Sequence, residues 1–301
     1  MIDDDVEIGS TKLASLDWLT PRKQEAEALA LRLQPYHPEY AQRICHCCDI
    51  VSVFQFPNQY HRLRKAYLCW TPGCPICEGT RRRISLGKLK FVLMRGCAGT
   101  DKIKVISFLF PSHPIDQTHD YIHRGQIALR RIRELKKWNS KGVITLLEMS
   151  VVRGSIFLTF HLITLVSASA FQGRHFVKRA WYQSVWEERI GEPCPAIAVE
   201  NVGNDRNAVF KIVSKASQID LSSVEDSQLT DVLDAFKYVK FFNSAGEFKT
   251  LLKENLKQQT SDPTKSKAVE IETYAFLPDP AESGETSSYF KFQYQSELEG
   301  I

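Results

Sequence analysis

Six of the eight cysteines of this chain lie between Arg43 and Arg83, and this cluster is the strongest constraint on how the chain folds. The first group is Cys45-His46-Cys47-Cys48, and the second, about twenty residues later, is Cys69 followed by Cys74-Pro75-Ile76-Cys77. Apolar and polar residues alternate between the two groups, as they do in a β-strand. Structural Zn²⁺ takes four ligands in a tetrahedron, and a Cys-x-x-Cys pair supplies two of them from one tight turn. The pattern therefore predicts a small zinc ribbon.

A disulfide framework is the alternative interpretation of these cysteines, and it requires an oxidising compartment. The chain opens with Met1-Ile2-Asp3-Asp4-Asp5, which is acidic where a secretion signal carries a basic segment. We therefore expect a cytoplasmic location, with structural zinc rather than disulfides.

The identity of the four zinc ligands stays open at this point. Cys69, Cys74 and Cys77 have the spacing of ligands. Cys45 and Cys48 form a second Cys-x-x-Cys pair, which can supply two ligands and release Cys69. His46 is a further candidate. All six cysteines are therefore candidate metal ligands: Cys45, Cys47, Cys48, Cys69, Cys74 and Cys77.

Basic residues are concentrated in the middle of the chain, although the net charge is only +4. One group follows the last cysteine pair, a second lies within residues 124–141, and the segment after Gln259 is rich in acidic residues. Clustered Lys and Arg gain affinity for phosphates by releasing counterions. One such cluster alone is usually a solvated helix face, but the neighbouring zinc knuckle favours DNA binding. The candidate DNA-binding residues are Arg81, Arg82, Arg83, Lys88, Lys90, Arg130, Arg131 and Lys137.

The order of predicted elements indicates an α+β fold. The predicted helices are 23–33, 81–93, 121–138, 175–189, 206–215, 228–237 and 248–257, and the predicted strands are 104–110, 142–151, 155–166 and 196–202. Gly154 forms the turn of a hairpin between the two longest strands. Helices that alternate with hairpin strands are typical of an antiparallel sheet with helices packed on it.

Four segments follow from this pattern. They are a leader and helix (1–40), a zinc-binding module with a basic helix (41–97), a DNA-binding or nuclease-like domain (98–258), and an acidic linker and tail (259–301). A short aromatic segment in that tail, Tyr289–Tyr294, is predicted to dock as an edge strand. No apolar run reaches the roughly 18 residues of a membrane span, so we expect no membrane partner.

Taken in chain order, several segments resemble one family, the plasmid rolling-circle replication initiators (Rep proteins) of the HUH endonuclease superfamily that carry an N-terminal zinc module. The matching segments are Arg43-Ile44 with Cys47, Lys65-Ala66-Tyr67-Leu68-Cys69 with Cys74-Pro75-Ile76-Cys77, Phe108-Leu109-Phe110, Leu146-Leu147-Glu148-Met149-Ser150 with Phe157–Ile163, Phe171 with Trp181-Tyr182 and Trp186, and Ala245-Gly246 with Lys249. Together they extend over about residues 41 to 255. The register of the family makes Cys47 the fourth zinc ligand.

The resemblance implies an HUH-type antiparallel sheet with packed helices, preceded by the zinc ribbon. It also implies a reaction, in which two histidines of a His-hydrophobe-His strand and a further ligand hold a divalent ion. The ion polarises a phosphate of single-stranded or origin DNA, and a tyrosine attacks to form a 5′-phosphotyrosine link. Mg²⁺ or Mn²⁺ suits such a mixed imidazole and carboxylate site.

The chain departs from the family at both catalytic positions. The strand reads Thr159-Phe160-His161, so a hydroxyl replaces the first histidine, while Glu148 stands where the family has a carboxylate. The nucleophile position is taken by Ser214, whose hydroxyl is a poorer leaving group than a phenol. The candidate catalytic residues are thus His161, Glu148 and Ser214, with Tyr238 as a displaced nucleophile to test.

Three functions remain open from the sequence. The first is an initiator-like DNA-binding protein with lost or weakened nicking activity, which the two replacements favour. The second is an active metal-dependent single-strand endonuclease that starts rolling-circle replication. The third is a protein-interaction subunit of a larger nucleoprotein assembly with other replication proteins. Trp181 and Trp186 are expected to lie in the core rather than on a surface that stacks on unpaired bases.

Overall fold

The chain divides into two units in the computed structural model, residues 1–80 with 259–301, and residues 81–258. These units differ from the four segments predicted from the sequence, because the C-terminal segment belongs with the zinc-binding region. The structure describes residues 6–8, 19–55, 61–96, 101–152, 154–171, 176–203, 205, 209–210, 219, 221, 224–237, 239–260, 269–278 and 290–294.

The first unit contains two helices and an antiparallel sheet among its described residues. In chain order its elements are β1 (Val6–Ile8), α1 (Leu19–Leu33), α2 (Pro38–Cys45), β2 (Ile50–Gln55), β3 (His61–Ala66), the first turns of α3 (Pro75–Gly96), β10 (Val269–Pro278) and β11 (Phe290–Tyr294). The strand order is β1-β3-β2-β10-β11. The helix predicted at 23–33 is confirmed, and it begins earlier, at Leu19.

The segment after Gln259 is more than the linker that we predicted from its Pro, Ser and Asp content. Its strand β10 pairs with β2, and β11 pairs with β10 at the end of the sheet, which confirms the predicted edge strand. Only residues 269–272 (Val-Glu-Ile-Glu) alternate between apolar and polar side chains in the way that indicates a strand. Because polar residues flank this short stretch on both sides, the sequence pattern indicated a linker rather than a strand.

The second unit is built on a longer antiparallel sheet. In chain order its elements after α3 are β4 (Lys102–Leu109), β5 (His113–Pro114), α4 (Thr118–Arg133), β6 (Ser140–Val152), β7 (Ser155–Val166), α5 (Arg179–Ile190), β8 (Ala198–Gly203), α6 (Leu229–Ala235), β9 (Phe242–Gly246) and α7 (Glu247–Thr260). Gly154 has a positive φ of 75° in the turn between β6 and β7, as the predicted hairpin requires. Of the helix predicted at 206–215, only residues 209 and 210 are described, and they are helical.

The strands of this sheet follow the order β8-β4-β7-β6-β9, with β5 paired to β7, and all neighbouring strands are antiparallel. The sequence β4-α4-β6-β7-α5-β8 places β7 between β4 and β6, which is the split β-α-β arrangement of ferredoxin-like folds. The prediction of an α+β class with an antiparallel sheet is therefore confirmed.

Side chains of β7 alternate between the two faces of the sheet. Phe160 points towards α4 and α5, where Phe108 packs against the buried Trp186 at 4.9 Å between ring centroids. Ile163 and Leu165 point towards α3 and α7, where they join a core with Leu89 and Phe248. The sheet thus has helices on both faces, and Trp186 lies in the core as predicted.

Helix α4 lies close against the sheet at Gly125. A Cβ atom at this position would lie 2.4 Å from Cε2 of Phe160 and 2.6 Å from Cζ of Phe110. Both rings belong to the packed core and cannot move aside easily. Glycine at 125 therefore sets the distance between α4 and the sheet.

We predict that Gly125→Ala lowers the free energy of unfolding by about 1–3 kcal/mol, because the added methyl group overpacks this contact. Gly87→Ala is the matched control, since Gly87 lies in helix α3 with no atom within 4 Å of its virtual Cβ. That control should be neutral or stabilising by up to about 1 kcal/mol, the difference in helix propensity. Urea unfolding followed by circular dichroism measures both, and equal effects of the two substitutions would contradict the close approach at Gly125.

Candidate functional site

Four of the six clustered cysteines come together in the first unit. The Sγ atoms of Cys47, Cys69, Cys74 and Cys77 all lie within 4.8 Å of one another, and all four residues are buried. The Sγ atom of Cys77 lies 3.6 Å from those of Cys47 and Cys69. Zinc–sulfur bonds of about 2.3 Å in a tetrahedron place the sulfurs about 3.8 Å apart. The cluster therefore has the donor set and the dimensions that a metal ion such as zinc requires.

Local backbone structure positions the four sulfurs. Cys47 follows the end of α2, Cys69 follows β3, and Cys74 directly precedes α3. The turn before α3 uses Gly73 at a positive φ of 73°, and Pro75 opens the helix, where its missing N–H costs nothing. Cys77 then lies in the first turn of α3. The spacing of Cys74 and Cys77 thus reflects a turn that passes directly into a helix.

Backbone amides point at the sulfur atoms. The N–H of Trp70 donates to Sγ of Cys77 at 3.2 Å, and the N–H of Thr71 donates to Sγ of Cys69 at 3.5 Å. Hydrogen bonding with the Cys47 sulfur, and then with those of Cys74 and Cys77, lowers the pKa of the Cys69 thiol, whereas hydrogen bonding with Cys47 and Cys69 raises the pKa of the Cys74 and Cys77 thiols. Backbone N–H donors such as those of Trp70 and Thr71 stabilise thiolates, which are the form that binds metal.

Of the three cysteines in the first group, Cys47 belongs to the four-sulfur group, whereas Cys45 and Cys48 do not. Cys45 is exposed and Cys48, though buried, lies outside the four-sulfur group. Burial raises the pKa of the Cys48 thiol to about 12, so this group stays protonated at neutral pH. His46 is exposed, with Nδ1 at 2.8 Å from the carboxylate of Asp49. Of the candidates for the fourth ligand, only Cys47 joins the group.

Lys23 supports the Cys47 loop, a role that its position in the sequence does not reveal. Its side chain is buried, and its ammonium group donates to the carbonyls of Cys45 and Cys47 and to the carboxylate of Asp49. A cation is favourable at the carbonyl end of helix α2. A lysine within a helical pattern is normally assigned to the solvent face, so only the packing of α1 on α2 identifies this role.

We predict that Cys77→Ser abolishes stoichiometric zinc binding by the full chain, whereas Cys45→Ser retains one ion per chain. The reason is that Cys77 lies in the four-sulfur group and Cys45 lies outside it. Native mass spectrometry combined with elemental analysis measures the bound metal. Loss of the ion from Cys45→Ser, or its retention in Cys77→Ser, would show that a different set of ligands is used.

A second polar group lies on the α3 side of the longer sheet. Nε2–H of His161 donates to the carboxylate of Glu148 at 2.6 Å, and Nδ1 shares a hydrogen bond of 2.8 Å with the hydroxyl of Ser107. Glu148 is the cross-strand partner of Thr159, and Ser107 is the partner of His161. Side chains two residues apart on a strand share a face, so Thr159 lies beside this group.

The structure brings two of the three predicted catalytic residues together. The side chains of His161 and Glu148 are 12% and 33% exposed to solvent, so both are accessible at the edge of the core. Ser214 and the alternative nucleophile Tyr238 lie outside the described residues. Among the residues that the structure describes, only the four cysteines form a group of three or more metal-binding side chains. His161 and Glu148 thus offer two ligands, with the Thr159 hydroxyl as a weaker third.

The predicted DNA-binding residues lie on helices α3 and α4, except for Lys137, which follows α4. Arg81, Arg82 and Arg83 are consecutive in α3, where successive side chains are about 100° apart, so they point in different directions and are each half-buried. Lys90 is exposed on α3, and Arg130 and Arg131 are exposed on α4. Lys88 lies 5.8 Å from the centroid of the Phe242 ring. Lys137 is exposed just beyond α4, with its ammonium group 5.5 Å from the ring centroid of the half-buried Trp181. Phosphate contact by these residues stays a prediction.

Comparison of the chain with protein-family models, curated proteins and solved structures gives no match. The resemblance to replication initiators therefore stays a prediction from the motifs. No helix in the described part of the chain has the length and apolarity needed to cross a membrane.

Proposed function

We propose that this chain is a zinc-stabilised DNA-binding protein of the replication-initiator type in which strand nicking is lost or weakened. The observation that carries the proposal is the pair formed by Glu148 and His161 on adjacent strands of an antiparallel sheet, with Thr159 beside them. The resemblance to the HUH initiators assigns metal ligands to these same three positions. The four-cysteine group supports the accompanying zinc module.

The arrangement of Glu148, Thr159 and His161 also gives a reason to expect weakened DNA nicking. Nicking requires a divalent ion held firmly enough to polarise a phosphate. Here a threonine hydroxyl replaces one imidazole, and His161 already donates to Glu148 rather than to a group that would orient it towards an ion. A serine at position 214 would also form a link to DNA that is hard to reverse, because an alkoxide is a poor leaving group.

DNA binding would then depend on the exposed cations rather than on the remnant of the active site. Arg130 and Arg131 on α4 and Lys90 on α3 are the predicted DNA-binding residues with the most accessible side chains, together with Lys137. Each phosphate that such a residue neutralises releases condensed counterions from DNA, so affinity falls as salt concentration rises.

We predict that the chain binds single-stranded DNA in a salt-dependent manner, and that the double substitution Arg130→Gln, Arg131→Gln reduces the slope of log Kd against log salt by about 1–2. The double substitution Lys249→Gln, Lys253→Gln is the charge-matched control, because both lysines are exposed on α7 and lie outside the predicted DNA-binding set. Fluorescence anisotropy at several salt concentrations measures the slope. Affinity for DNA no higher than for a neutral polymer at low salt would refute DNA binding.

We also predict that the natural chain forms no covalent adduct with a single-stranded oligonucleotide and Mn²⁺, whereas the double substitution Thr159→His, Ser214→Tyr forms one. The double variant restores an imidazole ligand and a phenol nucleophile, while Thr159→His alone still lacks the phenol. Denaturing gel electrophoresis detects the adduct, with Thr159→His as the control. An adduct with the unaltered chain would instead establish an active endonuclease.

A further inference from the structure

A polar cleft lies on the opposite face of the sheet from His161, between helix α4 and strands β6, β7 and β9. Its volume is about 400 Å³, within the range of small-molecule sites. One wall is a single face of α4, because its residues fall at positions i, i+3, i+4 and i+7. The lining residues are Gln126, Leu129, Arg130, Arg133, Thr145, Phe160, Lys240 and Asn243.

The cleft carries three cations and no carboxylate among its lining residues. Arg130 and Arg133 extend from α4, and Lys240 precedes β9. The guanidinium of Arg130 is 3.6 Å from Glu134, but both side chains are largely exposed, so this pair contributes little and can exchange for a ligand. An anion that enters the cleft therefore meets concentrated positive charge.

Arg133 is the most constrained of the three cations. Its Nε–H donates to the carbonyl of Leu129 at 3.2 Å, and burial lowers the pKa of its guanidinium. A partly desolvated guanidinium is unfavourable unless an anion compensates it. The nearby charge that acts on it is that of Glu134, the exposed residue that directly follows it in the chain. An anionic ligand in the cleft would supply the missing compensation.

The other lining residues are neutral polar side chains on the strands and apolar side chains at the floor of the cleft. Thr145 and Asn243 are direct cross-strand partners on β6 and β9, so their side chains lie next to each other on this face. Hydroxyl and amide groups donate hydrogen bonds to phosphate or sugar oxygens. Leu129 and Phe160 are almost fully buried and form the apolar floor of the cleft.

We infer that this cleft binds a small organic phosphate monoester, of which a nucleoside 5′-monophosphate is the type. Two guanidinium groups and an ammonium group can pair with the several oxygens of a phosphate dianion. They match such a ligand better than they match a single carboxylate. The volume of the cleft leaves room for a sugar or base beside the phosphate. The site is distinct from the Glu148–His161 pair, because even-numbered and odd-numbered residues of β7 point to opposite faces. The inference stands whether or not the chain binds DNA.

Isothermal titration of the full-length, zinc-loaded chain with adenosine 5′-monophosphate tests the inference. Adenosine monophosphate is expected to bind, inorganic phosphate to compete with it, and adenosine to bind at least tenfold more weakly, on the order of one lost charge-assisted contact. Arg133→Gln and Lys240→Gln should each weaken binding about tenfold. Arg179→Gln and Lys249→Gln remove exposed cations outside the cleft and should leave the affinity unchanged.

Two further arms separate this site from DNA binding. Thermal unfolding of each variant establishes that it is folded, and binding to an oligonucleotide with or without a 5′-phosphate is measured alongside. Cleft substitutions that weaken DNA binding while the unaltered chain shows no affinity for adenosine monophosphate would overturn the inference, since the cleft would then belong to a DNA surface. Equal affinity for adenosine and its monophosphate, or equal loss in the control variants, would also overturn it.

Discussion

The first unit depends on four cysteine sulfurs that lie within 4.8 Å of one another. Four thiolates at this separation repel one another strongly in a buried setting, and a cation among them turns that repulsion into attraction. The sulfurs come from the end of α2, the exit of β3 and the start of α3, so one centre ties together three separate parts of the chain. Lys23 and the amides of Trp70 and Thr71 hold the loops around it.

The second unit separates different chemistry onto the two faces of one sheet. The alternation of side chains along β7 places His161 on one face and Phe160 on the other. Gly125 allows α4 to approach Phe160, and further along the same helix Arg130 and Arg133 form one wall of the cationic cleft. The close contact of α4 with the sheet at Gly125 thus positions the charged residues that follow it.

Periodicity and turn residues predicted most of the elements, because these signals act over a few neighbouring residues. The β6–β7 hairpin around Gly154 and the edge strand Phe290–Tyr294 were both anticipated, although the strand Val269–Pro278 was obscured by the polar residues on either side of it. The spacing of Cys69, Cys74 and Cys77 likewise marked three members of the four-sulfur group. The fourth member, the buried Lys23 and the cleft depend on contacts between residues far apart in the chain.

The sequence by itself determined the α+β class and the presence of a thiol-rich centre, because these depend on residue identity and local spacing. Spacing left the fourth ligand open and the family resemblance implied Cys47; the tertiary structure decided that Cys47 rather than Cys45 or Cys48 joins the centre, since adjacent residues at a helix end point in different directions. It also decided that Glu148 meets His161 and that Thr145 meets Asn243, because strand register sets which side chains become neighbours.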